Sequence, residues 1–198
     1  PYFCRMADMK DGTAIVQNGD PVLRGIAAQV DTKDIGSKKL NDILARMKIA
    51  LEREGDGVAI AAPQIGVPLA IFIVSHRAFE IEEDKDETKP VKSLEEAKDM
   101  IVIKREITKL SRKKVKVPEG CLSVRWLYGN TQRAEKATVR GLDENGKSFT
   151  YGGSGLVAQI FQHETDHLNG ILFVDHATEI EELTQEEIDR IESQSNKK

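Results

Sequence analysis

The stretch His163-Glu164-Thr165-Asp166-His167, followed by Leu168-Asn169-Gly170, constrains this chain more than any other. Histidines four residues apart lie on one face of a helix, one above the other. Both imidazoles can then reach one metal ion. Glu164 follows the first histidine, where its carboxylate can hold the attacking water of a hydrolytic site. A buried apolar helix has poor reason to carry two histidines and two carboxylates in five residues, so a chance polar helix is the weaker reading.

The third ligand decides the class. In one group of zinc proteases the pattern continues to a third histidine three residues past the glycine, but here that position is Phe173, and His176 falls out of register. A distant Glu or His could complete a protease site, so that reading stays open. A further candidate lies upstream in Glu119-Gly120-Cys121-Leu122-Ser123. A thiolate with two imidazoles is a common open metal site. Taken alone, Cys121 reads as a small buried residue. A third segment, Gly57-Val58-Ala59-Ile60-Ala61-Ala62-Pro63-Gln64, is small and apolar and ends in one amide. Small residues let a substrate backbone come close, and the amide can donate to a developing oxyanion. Alone, it reads equally as a core strand with a polar end.

Together the three segments resemble the peptide deformylases, which remove the N-formyl group from nascent bacterial and organellar proteins. That family's motifs are Gly-x-Gly-φ-Ala-Ala-x-Gln, Glu-Gly-Cys-φ-Ser and Gln-His-Glu-x-Asp-His. The second is complete at Glu119–Ser123 and the third at Gln162–His167. The flanks Gly19–Arg24, Arg133–Lys136 and Leu172–Asp175 match as well, so the likeness runs from about Ile15 to His176. There are departures. Ala59 replaces the second glycine of the first motif, Lys104-Arg105 stand where Asn-Pro is common, and Arg125-Trp126 stand where Pro-Gly is frequent.

The resemblance implies a division of labour. Cys121, His163 and His167 hold one divalent ion, ferrous iron in the cell, with zinc, nickel or cobalt in purified protein. Glu164 is the general base, and Gln64 with the Leu122 backbone N–H stabilises the oxyanion. Gly57, Val58, Ala59, Glu119, Gly120, Leu156, Ile160 and His163 bind substrate, with Gln159 on the pocket rim. Glu119 pairs with Arg133 to brace the cysteine loop, and Asp166 either orients a ligand or loop or is a plain helix-surface carboxylate. The expected substrate is an N-formyl-methionyl peptide or nascent chain, met in transient contact with the ribosome. Two rivals remain: a metallopeptidase with another third ligand, and a non-catalytic relative that binds formylated N-termini or ribosomes.

At 198 residues the chain is read as one domain, 1–198. With 39% hydrophobic and 31% charged residues it is not a disordered composition. A net charge of −4 gives no global attraction to nucleic acid. No apolar run reaches membrane-span length, so no membrane is expected. Cys4 and Cys121 make no disulfide framework, and a metal thiolate suits a reducing, cytoplasmic compartment. A monomer is expected, and a removed transit peptide is compatible with the start at Pro1.

Periodicity places a helix over Ser37–Glu54, a strand over Leu69–Ser75, and a hairpin of Lys136–Leu142 and Lys147–Tyr151 around Asn145-Gly146. It places the metal helix over Ser154–Asn169 and an acidic helix over Glu179–Ser193, leading a tail to 198. The charged stretch of about 80–100 reads as an exposed insertion, with a helical turn at Ser93–Lys98. The fold class is α+β: mostly antiparallel sheets around a central metal-binding helix, with a C-terminal helix.

Overall fold

The computed structural model describes residues 11–83 and 98–195. Ser37 caps the first long helix, its side chain accepting from the Leu40 N–H at 3.2 Å. This helix, α1 (Lys38–Arg53), turns Leu40, Ile43, Leu44, Met47, Ala50 and Leu51 inward. Its partner is a five-stranded antiparallel sheet in the order β1 (Ala59–Ala61), β2 (Ile71–Val74), β3 (Met100–Leu110), β6 (Lys136–Leu142), β7 (Ser148–Ser154).

Strand alternation explains the layering. Ile71 and Ile73 join the core under α1, whereas Phe72 and Val74 face the opposite side. There they meet α3 (Gly155–Leu168) through Val157, Ala158, Ile160, Phe161 and Leu168. Both faces of β2 are covered, which is why Ile71-Phe72-Ile73-Val74 is an unbroken apolar run. A second antiparallel sheet of β4 (Lys114–Gly120), β5 (Leu127–Ala134) and β8 (Thr178–Glu182) leads into the cysteine loop. The expected α+β class with a central helix is the one found.

Two expectations need correction. The acidic segment is not helical from Glu179: Thr178–Glu182 pairs with β5, Leu127 opposite Glu182, and only Gln185–Ser195 forms the helix, α4. The start of that helix is written in Thr184 and Glu187. The Glu187 carboxylate accepts from the Thr184 N–H at 2.8 Å, and the Glu187 N–H donates to the Thr184 hydroxyl at 3.4 Å. The charged stretch also begins in order, because residues 80–83 close a short helix, α2 (His76–Glu83). Residues 84–97, and with them all of the expected turn at Ser93–Lys98 but its last residue, lie outside the described residues. The hairpin around Asn145-Gly146 is present, with Leu142 opposite Ser148.

Candidate metal centre

Helix α3 crosses the sheet with its polar face turned to the end of β4. Gln162 stitches it down: its amide oxygen accepts from the Ala134 N–H at 2.9 Å and its amide nitrogen donates to the Ala134 carbonyl at 3.0 Å. Gln159 does the same for β4, donating to the Pro118 carbonyl at 2.8 Å. The helix stops at Gly170, whose φ of 74° needs no side chain. A Cβ there would lie 2.5 Å from the Arg24 carbonyl oxygen.

This placement brings Cys121, His163 and His167 together, one ligand atom from each within 4.8 Å of the others. Cys121 Sγ lies 3.2 Å from His167 Nε2. His163 Nδ1 is 2.6 Å from Glu119 Oε1, which leaves Nε2 for the hydrogen bond with Cys121. One thiol and two imidazoles at such spacing are the donor set of a borderline divalent ion.

Glu119 is the centre of a buried network. Arg133 donates to it through Nε at 3.0 Å and Nη2 at 2.6 Å, and the Thr131 hydroxyl donates at 2.6 Å. The same arginine donates from Nη1 to Asp166 at 2.6 Å. An unbroken path of charge-assisted bonds thus runs from Asp166 through Arg133 and Glu119 to His163. Burial opposes ionisation of Glu119, but the bonds from His163 and Arg133 outweigh it and hold the carboxyl well below its usual range. Arg133→Met should cost about 3–5 kcal/mol of unfolding free energy, because it strands a buried carboxylate. Urea denaturation of the metal-free protein measures this; a loss below about 1 kcal/mol, the scale of an exposed pair, would refute it.

The histidines differ. His167 is held neutral by burial and by the neighbouring His163, and its Nδ1 is buried without a partner among the described residues. For His163 burial again disfavours charge, but hydrogen bonds with Cys121 and Glu119 lift its pKa well above the ordinary value. That proton has to leave when the ring ligates a metal. Between them, Glu164 is buried, and its Oε2 has no partner among the described residues. Burial pushes its carboxyl up to about 7; His163 opposes, while Glu119 and Asp166 reinforce.

Gln64 reaches the same spot from the other side. Its Oε1 accepts from the Ala61 N–H at 2.8 Å, which aims Nε2 at Cys121 Sγ, 3.6 Å away, and at Ser123 Oγ, 3.2 Å away. β1 is the outermost strand of its sheet. The Ser75 N–H donates to the Val58 carbonyl at 2.8 Å, so Val58 faces β2 and the alternation turns Ala59's N–H and C=O to the open edge. Gly57 is packed closely: a Cβ would lie 3.2 Å from Leu122 Cδ1. Gly120 is a glycine because the Tyr128 ring lies over it, 2.5 Å from where a Cβ would be. Leu122, Ile160 and Ala59 are buried, and Val58 and Leu156 half-buried.

Some contributors carry no signal in the sequence. Gln17 donates to the Leu122 carbonyl at 3.0 Å, and the Asn18 N–H donates to the Ser123 carbonyl at 2.7 Å. Arg125 closes a 2.5 Å ion pair with Asp56 and one of 2.7 Å with Glu54, tying the cysteine loop to the approach of β1.

Residues 13–183 match the family model of polypeptide deformylases. The chain is 38% identical over 168 residues to the chloroplastic peptide deformylase 1A of Solanum lycopersicum, covering 81% of this chain and 58% of that protein. It is 36% identical over 165 residues to a peptide deformylase of Dehalococcoides mccartyi strain CBDB1, covering 83% of this chain and 85% of the other. The chain spans less than two thirds of the length of the plant relatives it matches. Its structure superposes with a TM-score of 0.67 on a Met-Ala-Ser-bound class I type b peptide deformylase from Acinetobacter baumannii, at 32% identity, covering 82% of this chain and 96% of that one.

Proposed function

The chain belongs to the polypeptide deformylase family, and from that premise we propose that it hydrolyses the N-formyl group of formyl-methionyl peptides and nascent chains. The observation that carries this reading is the convergence of a thiol and two imidazoles, with the next residue along the helix, Glu164, buried and its Oε2 without a partner among the described residues. Cys121, His163 and His167 would hold the ion. When bound, the ion supplies Lewis acidity and a hydrolytic nucleophile at neutral pH.

The remaining work falls to side chains and backbone. Glu164 accepts the proton of the attacking water and passes it to the leaving amine. The formyl C–N bond breaks, giving formate and a free amino terminus. Gln64 Nε2 and the Leu122 N–H donate to the oxyanion, and the bond from Ala61 keeps the Gln64 amide from turning over. The peptide pairs with Ala59 along the open edge of β1 and with the backbone at Gly120. Its methionine side chain lies among Gly57, Val58, Leu156, Ile160 and His163, with Gln159 near the rim. Glu119 fixes His163 by accepting a hydrogen bond from its Nδ1–H.

A thiolate with two imidazoles suits ferrous iron in the cell, with zinc, nickel or cobalt able to take its place. We place the chain in a reducing compartment, the cytosol, as a monomer that meets its substrates at the ribosome. Among the described residues no helix is long and apolar enough to cross a membrane.

The test is an anaerobic assay of formate release from formyl-Met-Ala-Ser, with metal content measured on the same sample. Formate in proportion to bound metal is the expected result. A fully loaded chain that releases none, or that cuts internal peptide bonds instead, would overturn the proposal. Ala59 bears on the groove. Among described residues other than glycine, positive φ occurs at Lys104 and Glu179, not at Ala59, so alanine sits there without strain. Ala59→Gly should therefore change kcat/KM by less than about tenfold, or ~1.4 kcal/mol. A silent wild type rescued by the glycine would contradict this.

A further inference from the structure

Lys104-Arg105 replaces the dipeptide common in relatives, and the structure gives the pair a use. β3 and β6 lose register between Ile103 and Glu106, and Lys104 takes a φ of 53°, a conformation L side chains rarely adopt. The bulge turns Arg105 away from the ladder and onto the C-terminal end of α3. There Nη2 donates to the Thr165 carbonyl at 3.2 Å and to Asn169 Oδ1 at 2.9 Å.

The last four carbonyls of a helix need partners from outside its own ladder. In α3 these belong to residues 165–168, since the helix ends at Leu168. The Asp166 carbonyl accepts from Asn169 and Ile171, that of His167 from Gly170, and that of Leu168 from Ala27. The Asn169 N–H is thus committed to Asp166, and Thr165 takes its bond from Arg105. A guanidinium at a helix C-terminus is also favoured by the helix dipole. This last turn carries His167 and Asp166, and Asp166 is where the path through Arg133 and Glu119 to His163 begins.

We propose that Arg105 is a positioning residue for the metal centre, clamping the last turn of α3 so that both ligand histidines stay in register with Cys121. The proposal rests on the metal-site reading above. It gives the strained bulge a reason: the strand deforms to deliver a cation to the helix end.

The experiment compares wild type, Arg105→Met, Arg105→Lys and Asn169→Ala, each loaded with cobalt(II). Three quantities are read: the rate of cobalt release to a chelator, the visible spectrum of the bound cobalt, and kcat and KM on formyl-Met-Ala-Ser. Arg105→Met should release cobalt about tenfold faster, at the lower end of what loss of a ligand-orienting partner costs. Its spectrum should change, and kcat should fall with KM held within about twofold, the mark of a misplaced reacting group. Arg105→Lys, which can still donate to Thr165 and Asn169, should recover most of both. Asn169→Ala should show a smaller shift in the same direction without removing a charge.

A lowered melting temperature with release rate, spectrum and kcat unchanged makes Arg105 a structural residue and overturns the proposal. So does a lysine variant no better than methionine. Should Arg105→Met not fold, cobalt release from Asn169→Ala at the wild-type rate overturns it equally. Wild type that holds cobalt and releases formate, beside unaffected variants, sinks this inference alone. Wild type that holds no cobalt sinks the site reading and this inference together.

Discussion

Cys121→Ala is expected to fold, to hold almost no metal, and to release no measurable formate. The thiol lies 3.2 Å from His167 Nε2 and completes the only three-donor cluster among the described residues. Without it two imidazoles remain on one helix, and a soft anionic donor is lost outright. The fold should survive because the loop keeps anchors that do not pass through the thiol. Glu119 stays paired with Arg133, and Gln17 still donates to Leu122. A methyl in place of a half-buried thiol makes little cavity. The measurements are elemental analysis after loading and formate release per chain. A variant that kept a full ion and its turnover would hand the site to some other third ligand, as a peptidase reading requires.

The three-donor cluster was legible for a geometric reason. Helical spacing puts His163 and His167 on one face whatever the tertiary fold, so that part needs only the sequence. Cys121 was different, since no local rule brings a residue 42 positions before His163 to its side. It took the order of three motifs to find it. The layers were legible where burial is two-sided, as in the unbroken apolar run of β2. What stayed hidden depends on partners. Residues 178–182 look like the start of an acidic helix, and they become a strand because the edge of β5 offers them hydrogen bonds. The Thr184–Glu187 cap was a signal for the true start of α4. Arg105 stood out only as part of the Lys104-Arg105 departure from the family's pattern. Its proposed role depends on a register shift between β3 and β6, set by long-range pairing rather than by any local pattern.

Glu164→Gln should keep its metal while kcat falls by about 10²–10⁴, the range for a lost general base. The substitution preserves size in a site with little room, since Glu164 is buried. It removes only the capacity to accept a proton. KM should change little, because the side chain is proposed to bind no part of the peptide. The same substitution has a second, independent consequence. In the metal-free protein burial raises the Glu164 carboxyl from 4.5 to about 7. The unfolded chain therefore gives up that proton at lower pH than the folded one. Its protonated form stabilises the fold at low pH, and that stability is lost as pH rises from about 4.5 to about 7. Metal-free Glu164→Gln cannot titrate, so its stability relative to wild type should rise across that window. A bound cation beside the carboxylate acts in the opposite sense and should shrink the difference. Denaturation curves at several pH values, with and without metal, read this directly. Near-normal turnover in the metal-loaded variant would remove Glu164 from the mechanism. A flat pH comparison in the metal-free pair would show instead that its carboxyl is not held protonated by burial.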